Sequence, residues 1–442
     1  MEENRKQGRS PWSAELELEL EGIAQGGAGV GHYLGRTVFA EGGLPGERVR
    51  VQLYDRQRAF ARGRVVELLR TVPARITSPC PFESRCGAGD WRWVDRAEQL
   101  RWKQTILHDQ LTHLGGLALG ELVIGATADP GDGWGYRTTA ELHWAPGRGH
   151  DDPQAPALGY FVPGGREVAD IPACCLHHPL LNLALAGLRP LLSAELPLRG
   201  VTVRCAPETG ELMGVLDLQG APGAEVMALA QKWQAAVPAL VGVVATVRGT
   251  EHTLTGRSWL WHMLDGVRLR MSAPSFFQVN AHVTPLLIER VRSLLLPAPH
   301  ERLLDLFCGV GTFALPLARQ WQEVVGIESF APAIADARAS AQANGLNNTR
   351  WHVGTAEQVV PRLHEHYDGV VLDPPRRGCE PAMLDALLAL RPSRIVYVAC
   401  HPGTLARDCK QLVAGGYQLS HAEVIDLFPQ THHVESIVRL HL

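Results

Sequence analysis

Between Leu303 and Cys400, short apolar runs alternate with helix-forming stretches, and each run stops at a glycine, a proline or an acid. Leu303-Leu304-Asp305-Leu306-Phe307 reads as a buried strand. Cys308-Gly309-Val310-Gly311-Thr312 then turns tightly into a helix from Phe313 to Trp321. Val324 to Ile327 is the next strand and ends at Glu328, and a helix from about Pro332 to Asn344 stops at Gly345. Asp368 to Leu372 is a strand that ends at Asp373-Pro374-Pro375-Arg376. After a helix through Leu384 to Leu390, Ile395-Val396-Tyr397-Val398 forms a further strand, which ends at Ala399-Cys400 before His401-Pro402-Gly403. Strands alternating with helices require a parallel, doubly wound sheet, and such sheets bind ligands at the carboxyl edge of the strands. Glu328, Asp373 and Cys400 all stand at that edge. A cysteine there is otherwise a small buried hydrophobe, so its company decides its meaning.

The preceding chain has a different texture. The first ten residues are polar and are expected to be disordered. Leu16, Leu18 and Leu20 alternate with Glu15, Glu17, Glu19 and Glu21, as in a half-buried strand. Thr37-Val38-Phe39, the Val49 to Leu53 stretch and Arg64-Val65-Val66 supply further short strands, so about sixty residues suggest a small closed barrel of the oligonucleotide-binding kind. Arg48, Arg50, Arg56, Arg58, Arg62, Arg64 and Arg70 make a local basic stripe on its last strands, suited either to phosphates or to a solvated sheet face. Trp91 to Leu114 has helical spacing and ends at Gly115-Gly116. Tyr136 to Gly266 reads as α+β: strands at Val201 to Cys205 and Leu212 to Leu218, a hairpin around Asp265-Gly266, and helices at Asn182 to Leu192 and Glu225 to Ala235. The expected division is a barrel over 12–70, a central α+β region over 71–272 whose helix near 92–115 packs on the last domain, and a Rossmann-like domain over 273–442.

At 442 residues, one compact core is not expected. The longest apolar run, Leu180 to Leu192, is interrupted by Arg189-Pro190 and cannot span a bilayer. Met1-Glu2-Glu3 lacks the features of a secretory signal, and nine irregularly spaced cysteines do not make a disulfide framework, so the cytoplasm is expected. Cys80 and Cys86, with Cys174-Cys175 and His177-His178 later, are candidate metal ligands, although two ligands do not make a site.

A glycine-rich turn after the first strand, with an acid at the tip of the second, suits a nucleoside. Gly309-x-Gly311-x-x-Ala314 also satisfies the dinucleotide fingerprint, which keeps an NAD-linked dehydrogenase in view. Asp373-Pro374-Pro375 separates the readings, because methyltransferases using S-adenosylmethionine often place such a turn beside the methyl donor. Amino-group methylation of a stacked base uses an aromatic after the prolines, where this chain has Arg376 and Arg377. Carbon methylation of a pyrimidine needs a thiolate on C6 to make C5 nucleophilic and a base to remove the C5 proton. Cys400 meets the first need. Glu435, in Phe428-Pro429-Gln430-Thr431-His432-His433-Val434-Glu435-Ser436, meets the second if its apolar neighbours bury it and raise its pKa. His433 is placed either to orient it or to touch the substrate.

The segments SFFQVN (275–280), LDLFCGVGTF (304–313), DPPRRG (373–378), YVACHPGTLARD (397–408) and FPQTHHVES (428–436) together resemble the RNA uracil-5-methyltransferase family. These S-adenosylmethionine-dependent enzymes make 5-methyluridine in tRNA and large-subunit rRNA, and the resemblance runs from about residue 14 to the C-terminus. It implies Cys400 as nucleophile and Glu435 as proton-abstracting base. It also implies donor contacts from Gln278, Phe307, Thr312, Glu328 and Thr355, with Asp373 between donor and uracil. The barrel resembles the RNA-binding TRAM module of the rRNA branch, which favours rRNA over tRNA as partner. That branch often carries an iron–sulfur cluster. Cys80, Cys86 and Cys174 match three of its ligands, but Gly89 stands at the remaining position, so the cluster is either lost or completed by Asp90 or Cys175. Two other readings share part of this chemistry or none of it: an RNA cytosine-5-methyltransferase, with Cys379 as a second cysteine, and a non-catalytic RNA-binding protein.

Overall fold

The computed structural model describes residues 13–147 and 156–442, and the expected disordered tail lies outside the described residues. The first sheet contains β1 (Glu15–Ile23), β2 (Gly29–Tyr33), β3 (Arg36–Glu41), β4 (Arg48–Arg56) and β5 (Phe60–Arg70), closed in the order β1-β2-β3-β5-β4. Period-two alternation explains it: Leu16, Leu18 and Leu20 turn inward onto Val38, Val49, Val51 and Ala61, while the intervening glutamates face out. Closure leaves no unpaired edge. The arginine stripe is largely answered by β1 and its neighbours. Arg50 pairs with Glu17 at 2.8 Å and with Glu67, Arg70 pairs with Glu19, and Arg48 and Arg64 lie 3.6 and 3.7 Å from Glu17 and Glu41. Much of the stripe is therefore a two-signed surface.

Helix α1 spans Arg96–Asp109, starting later than the apolar spacing predicts. Asp95 sets the start, because its carboxylate accepts the Ala97 and Glu98 amides as an N-cap. A wider π-turn, Gln110–Leu114, finishes the segment at Gly115-Gly116. A short strand, β6 (Gly125–Thr127), follows. The central region contains β7 (Thr139–Ala145), β8 (Ala157–Phe161), β9 (Val168–Asp170), α2 (Pro179–Leu188), β10 (Leu198–Ala206), β11 (Glu211–Leu218), α3 (Ala224–Ala236), β12 (Leu240–Val247) and β13 (Thr250–Gly256). Its seven strands run β13-β12-β11-β10-β7-β8-β9, with α2 and α3 sharing one core with the sheet. A hairpin of β14 (Trp259–Leu264) and β15 (Val267–Ser272) leads out of it.

The last region contains α4 (Thr284–Leu295), β16 (Arg302–Leu306), α5 (Ala314–Leu317), β17 (Glu323–Glu328), α6 (Ala331–Ala343), β18 (Thr349–Val353), α7 (Ala356–Val359), β19 (Gly369–Leu372), α8 (Pro381–Leu390), β20 (Arg394–Ala399), α9 (Pro402–Ala414), β21 (Gln418–Ile425) and β22 (Glu435–His441). The eight-stranded sheet has the order β18-β17-β16-β19-β20-β22-β21-β6. Its first five strands are parallel and β22 is antiparallel to both neighbours, which gives the Rossmann-like fold. The edge strand β6 comes from far earlier in the chain and pairs with β21. One face of the sheet packs under α1, α8 and α9, and the other under α4, α5 and the β14–β15 hairpin. Among the described residues no helix is long and apolar enough to cross a membrane.

Helix α1 is bound to this sheet by charge as well as by apolar contact. Lys103 is fully buried, and its Nζ donates to Asp426 Oδ1 at 2.9 Å and to the Phe428 carbonyl at 2.9 Å. Arg96 reaches Asp426 Oδ2 at 2.6 Å. Burial of Lys103 pushes its pKa down, with Asp426 acting against the shift. Removing one member leaves an uncompensated interior charge. Asp426→Ala should therefore cost about 3–5 kcal/mol, read as a lower denaturant midpoint, whereas Asp426→Ala combined with Lys103→Met should recover much of that loss.

Candidate active site

The pairing of β20 with β22 runs through Tyr397↔Val438 and Val398↔Ile437 to Ala399↔Ser436. The next residues on each strand, Cys400 and Glu435, therefore stand beside one another at the open end of the ladder. Ser436 closes that end by donating its hydroxyl to the Ala399 carbonyl at 3.1 Å. On the other side, Leu372 of β19 pairs with Tyr397, so Asp373 emerges at the same sheet edge. Cys400, Asp373 and Glu435 all line one cleft of about 880 Å³, together with Gln278, Phe307, Gly309, Glu328 and Thr355. That volume suits a nucleoside-sized ligand with room for a second ring.

At the far end of the cleft is the glycine-rich turn. Phe307 and Gly309 both have left-handed backbone, with φ of 64° and 54°. A positive φ is costly for phenylalanine and is characteristic of residues held in place at functional sites. Gly311 has φ of 85°, and a Cβ there would meet Leu315 Cδ1 at 2.7 Å, so only glycine allows α5 to begin so close to the strand. Beneath the turn, buried Asp305 accepts the Ala314 amide at 2.9 Å. Glu328 accepts the Gly309 amide at 3.3 Å and the Phe330 amide at 2.8 Å, which presents its carboxylate at the tip of β17. Backbone approach, one strand-tip carboxylate and an aromatic ring suit the ribose and base of S-adenosylmethionine. Gln278, Phe307, Glu328, Thr355 and Asp373 meet in this cleft, whereas Thr312 lies buried in the turn and does not line it.

The reacting end is strongly acidic and poorly solvated. Burial raises Glu435 well above the ordinary carboxylate range, with Asp373 adding to the shift and Arg376 opposing it. Asp373 is pushed up to about 7 by burial, and a 3.3 Å hydrogen bond from Gln278 Nε2 pulls the other way. The Cys400 thiol rises to about 11, again chiefly through burial, then through the charges of Glu435 and Asp373, with Arg376 favouring the thiolate. Arg376 also donates to His433 Nδ1 at 3.0 Å, and burial pushes that imidazole down to about 4, so it is a neutral acceptor. His433 thus orients Arg376, a cation that favours ionisation of both Cys400 and Glu435.

Several residues that hold the site were not evident from the motifs. The Phe428–Ser436 loop is pinned by α1: Gln99 donates to Gln430 Oε1 at 2.9 Å and accepts the Gln430 amide at 2.9 Å, and Gln430 has φ of 64°. His432 is anchored through Asp90, which accepts both its amide and its ring N–H. His401 caps α9 by accepting the Thr404 amide on Nδ1 at 3.2 Å, so its Nε2 carries the proton. The side-chain amide of Gln25, in the β1–β2 loop of the barrel, lies 2.7 Å from that Nε2. The barrel therefore touches the residue beside Cys400. A detectable signal existed for Gln99 and Lys103, two polar residues on the apolar face of a helix. None existed for Gln25 or Asp90.

The cysteines proposed as metal ligands come together in two pairs, Cys80 within hydrogen-bond reach of Cys175 and Cys86 beside Cys174. Among the described residues, no group of three or more His, Cys, Asp or Glu is placed to hold a metal ion. Gly89 supplies no donor, Asp90 is engaged by His432, and the buried Arg92 guanidinium donates to Cys80 Sγ at 3.3 Å and to the Cys86 carbonyl at 2.8 Å. Cys379 is removed from the cleft: it is buried against the Tyr397 hydroxyl at 3.5 Å, and its thiol is pushed up to about 12.

Comparison with known proteins agrees with this arrangement. The profile of the tRNA (Uracil-5-)-methyltransferase family matches residues 264–442, and that of the TRAM domain matches residues 14–66. An uncharacterized RNA methyltransferase of Thermosynechococcus vestitus is 36% identical over 97% of this chain and 98% of its own length. The 23S rRNA (uracil(1939)-C(5))-methyltransferase RlmD of Alkalilimnicola ehrlichii is 36% identical over 96% of this chain and 95% of its own. The chain belongs to the RNA uracil-5-methyltransferase family. A crystal structure of Pyrococcus abyssi tRNA (uracil-54, C5)-methyltransferase in complex with S-adenosyl-L-homocysteine shares the fold, with a TM-score of 0.75 at 23% identity, covering 96% of this chain and 100% of that one. As a member of the RNA uracil-5-methyltransferase family, this protein is an S-adenosylmethionine-dependent enzyme acting on RNA.

The electrostatics of the cleft can be read from the thiol itself. Below its pKa of about 11, Cys400 alkylation by iodoacetamide should quicken about tenfold per pH unit between pH 7 and 10. At pH 9, Asp373→Asn should speed the labelling by removing a neighbouring negative charge, and Arg376→Ala should slow it by removing the positive one. Mass spectrometry of the Cys400 peptide would follow both.

Proposed function

We propose that this enzyme methylates C5 of a uridine in 23S rRNA, with Cys400 as nucleophile and Glu435 as the base that completes the reaction. The placement of Cys400 and Glu435 as neighbours at one strand end, inside the cleft that contains Asp373 and the glycine turn, carries this reading. The likeness to RlmD over nearly the whole of both chains favours rRNA as substrate, and the TRAM barrel favours an RNA of some length.

S-adenosylmethionine supplies an electrophilic methyl group in the part of the cleft lined by Phe307, Gly309, Glu328 and Thr355. The target uridine leaves its stack to reach the sheet edge. Cys400, as the thiolate left when its proton passes to solvent, bonds through Sγ to C6 of the ring, and the C5–C6 π electrons make C5 enolate-like. Arg376 supports the thiolate form, and Asp373, protonated for part of the time near neutrality, is placed to donate to a carbonyl of the base. C5 then gains the methyl group, its bond to the donor sulfur breaking. Glu435 takes the C5 proton, the freed electron pair restores the C5–C6 double bond, and Sγ departs from C6. Burial makes the ionised Glu435 a stronger base than an exposed carboxylate, which suits removal of a carbon-bound proton.

Cys400→Ala should reduce 5-methyluridine formation below detection while leaving S-adenosylmethionine affinity within about threefold by calorimetry; normal turnover by this variant would remove the mechanism. Glu435→Gln should instead accumulate a covalent, methylated RNA adduct, visible as a heat-stable shifted band on a denaturing gel, because elimination cannot follow transfer. For the substrate, mapping 5-methyluridine in rRNA and tRNA from cells lacking the enzyme should show the loss in 23S rRNA, and a loss confined to tRNA would reject that assignment.

A further inference from the structure

A second, shallower cavity of about 350 Å³ opens next to the catalytic cleft. Its floor is a pair of stacked rings, Phe161 on β8 and His143 on β7, with centroids 3.9 Å apart and planes inclined by 21°. Strand register explains the stack. His143 pairs with Gly159, so Phe161, two residues further along the same face, is its diagonal neighbour. Gly159 presents no side chain between them, and a Cβ there would meet the Ala169 carbonyl oxygen at 1.9 Å. The Phe161 ring therefore lies over the imidazole with its outer side open, and the residue is 39% exposed.

The position of this shelf gives it a meaning that a lone exposed phenylalanine lacks. Gly87, Ala88 and Tyr160 line both the shelf and the catalytic cleft, so the two adjoin. Gly87 and Pro163 also line the groove between β5 and residues 75–93, so three cavities meet at this turn. The Gly87 amide fixes the junction by donating to the Phe161 carbonyl at 3.0 Å. On the barrel side, the Arg64 guanidinium comes within 3.2 Å of where a Cβ on Gly164 would stand, and Arg166 in the same turn is exposed. An RNA strand that delivers a uridine into the cleft must pass its neighbouring nucleotides over whatever adjoins the mouth. Unpaired flanking bases expose their π faces, and a rigid aromatic with one free face beside guanidinium groups is what they stack on.

We propose that Phe161, backed by His143, is the stacking platform for a nucleobase flanking the target uridine. The proposal rests on the reading of the enzyme as an RNA uridine methyltransferase. Its test uses the full chain and a single-stranded fragment of 23S rRNA spanning the methylated uridine, with 2-aminopurine placed in turn at each flanking position. At one position the fluorescence should be quenched on binding to the wild type and to Phe161→Trp, but not to Phe161→Ala. Phe161→Ala should also raise KM for the fragment by about fivefold or more, with kcat at saturating RNA and S-adenosylmethionine affinity unchanged. Wild-type KM and quenching in Phe161→Ala would overturn the platform, as would a loss of donor affinity in that variant, which would mark the residue as structural. If the wild type itself forms no 5-methyluridine in the fragment or in intact rRNA, the underlying function fails and the platform with it; failure of the platform alone leaves wild-type methylation intact.

Discussion

Two carboxyl groups and a thiol share one poorly hydrated sheet edge, and the guanidinium of Arg376 acts on Glu435 and Cys400 together. Three groups that become anionic cannot all ionise in so small and dry a space, because each charge raises the cost of the next. Their protons are therefore shared and mobile. This is the condition a reaction needs when it first requires a nucleophilic sulfur and afterwards a base for a carbon-bound proton. The same burial that keeps Cys400 a thiol at rest gives the Glu435 carboxylate its basicity when it forms. A uracil ring entering the cleft brings carbonyl groups that the acids can address, so the substrate completes an arrangement that is electrostatically unresolved without it.

Holding that edge requires more than the sheet. Antiparallel β22 enters beside β20 from a loop with left-handed backbone at Gln430, and the loop is fixed by groups distant in sequence: Gln99 on Gln430, Lys103 on the Phe428 carbonyl and Asp90 on His432. Helix α1 thus acts as a brace for the segment that delivers Glu435. From the other side, Gln25 of the barrel meets His401, the cap of the helix that follows Cys400. His401, beside Cys400, is thus tied to the barrel, and Gln430 and His432, in the loop leading to Glu435, are tied to Gln99 and Asp90. The barrel is therefore one side-chain contact removed from the loop that carries Cys400.

The loop around Cys80 is held by charge: Arg92 fills its interior with a guanidinium that binds Cys80 Sγ and two backbone carbonyls. A buried cation hydrogen-bonded to the loop on several sides holds it as a cross-link would, by geometry and not by coordination. Asp90 binds His432 and joins this loop to the Phe428–Ser436 segment.

What could be read from residues alone was whatever local periodicity or local chemistry enforces. The alternation of apolar runs with helices dictated the parallel sheet, the period-two leucines of β1 dictated the barrel strand, and the residues ending each strand marked the ligand edge, because a parallel sheet places all its carboxyl ends on one side. Cys400 and Glu435 could be singled out as candidates because C5 methylation demands a thiol and a base. Their nearness was not legible. It depends on β22 running antiparallel into the sheet beside β20, a long-range pairing that no local pattern encodes. The arginine stripe likewise looked basic until β1 laid its glutamates against it, and the Phe161–His143 stack exists only because Gly159 is paired opposite His143. Charge, stacking and proton affinity at these places depend on which strands become neighbours, and that was decided by the tertiary fold.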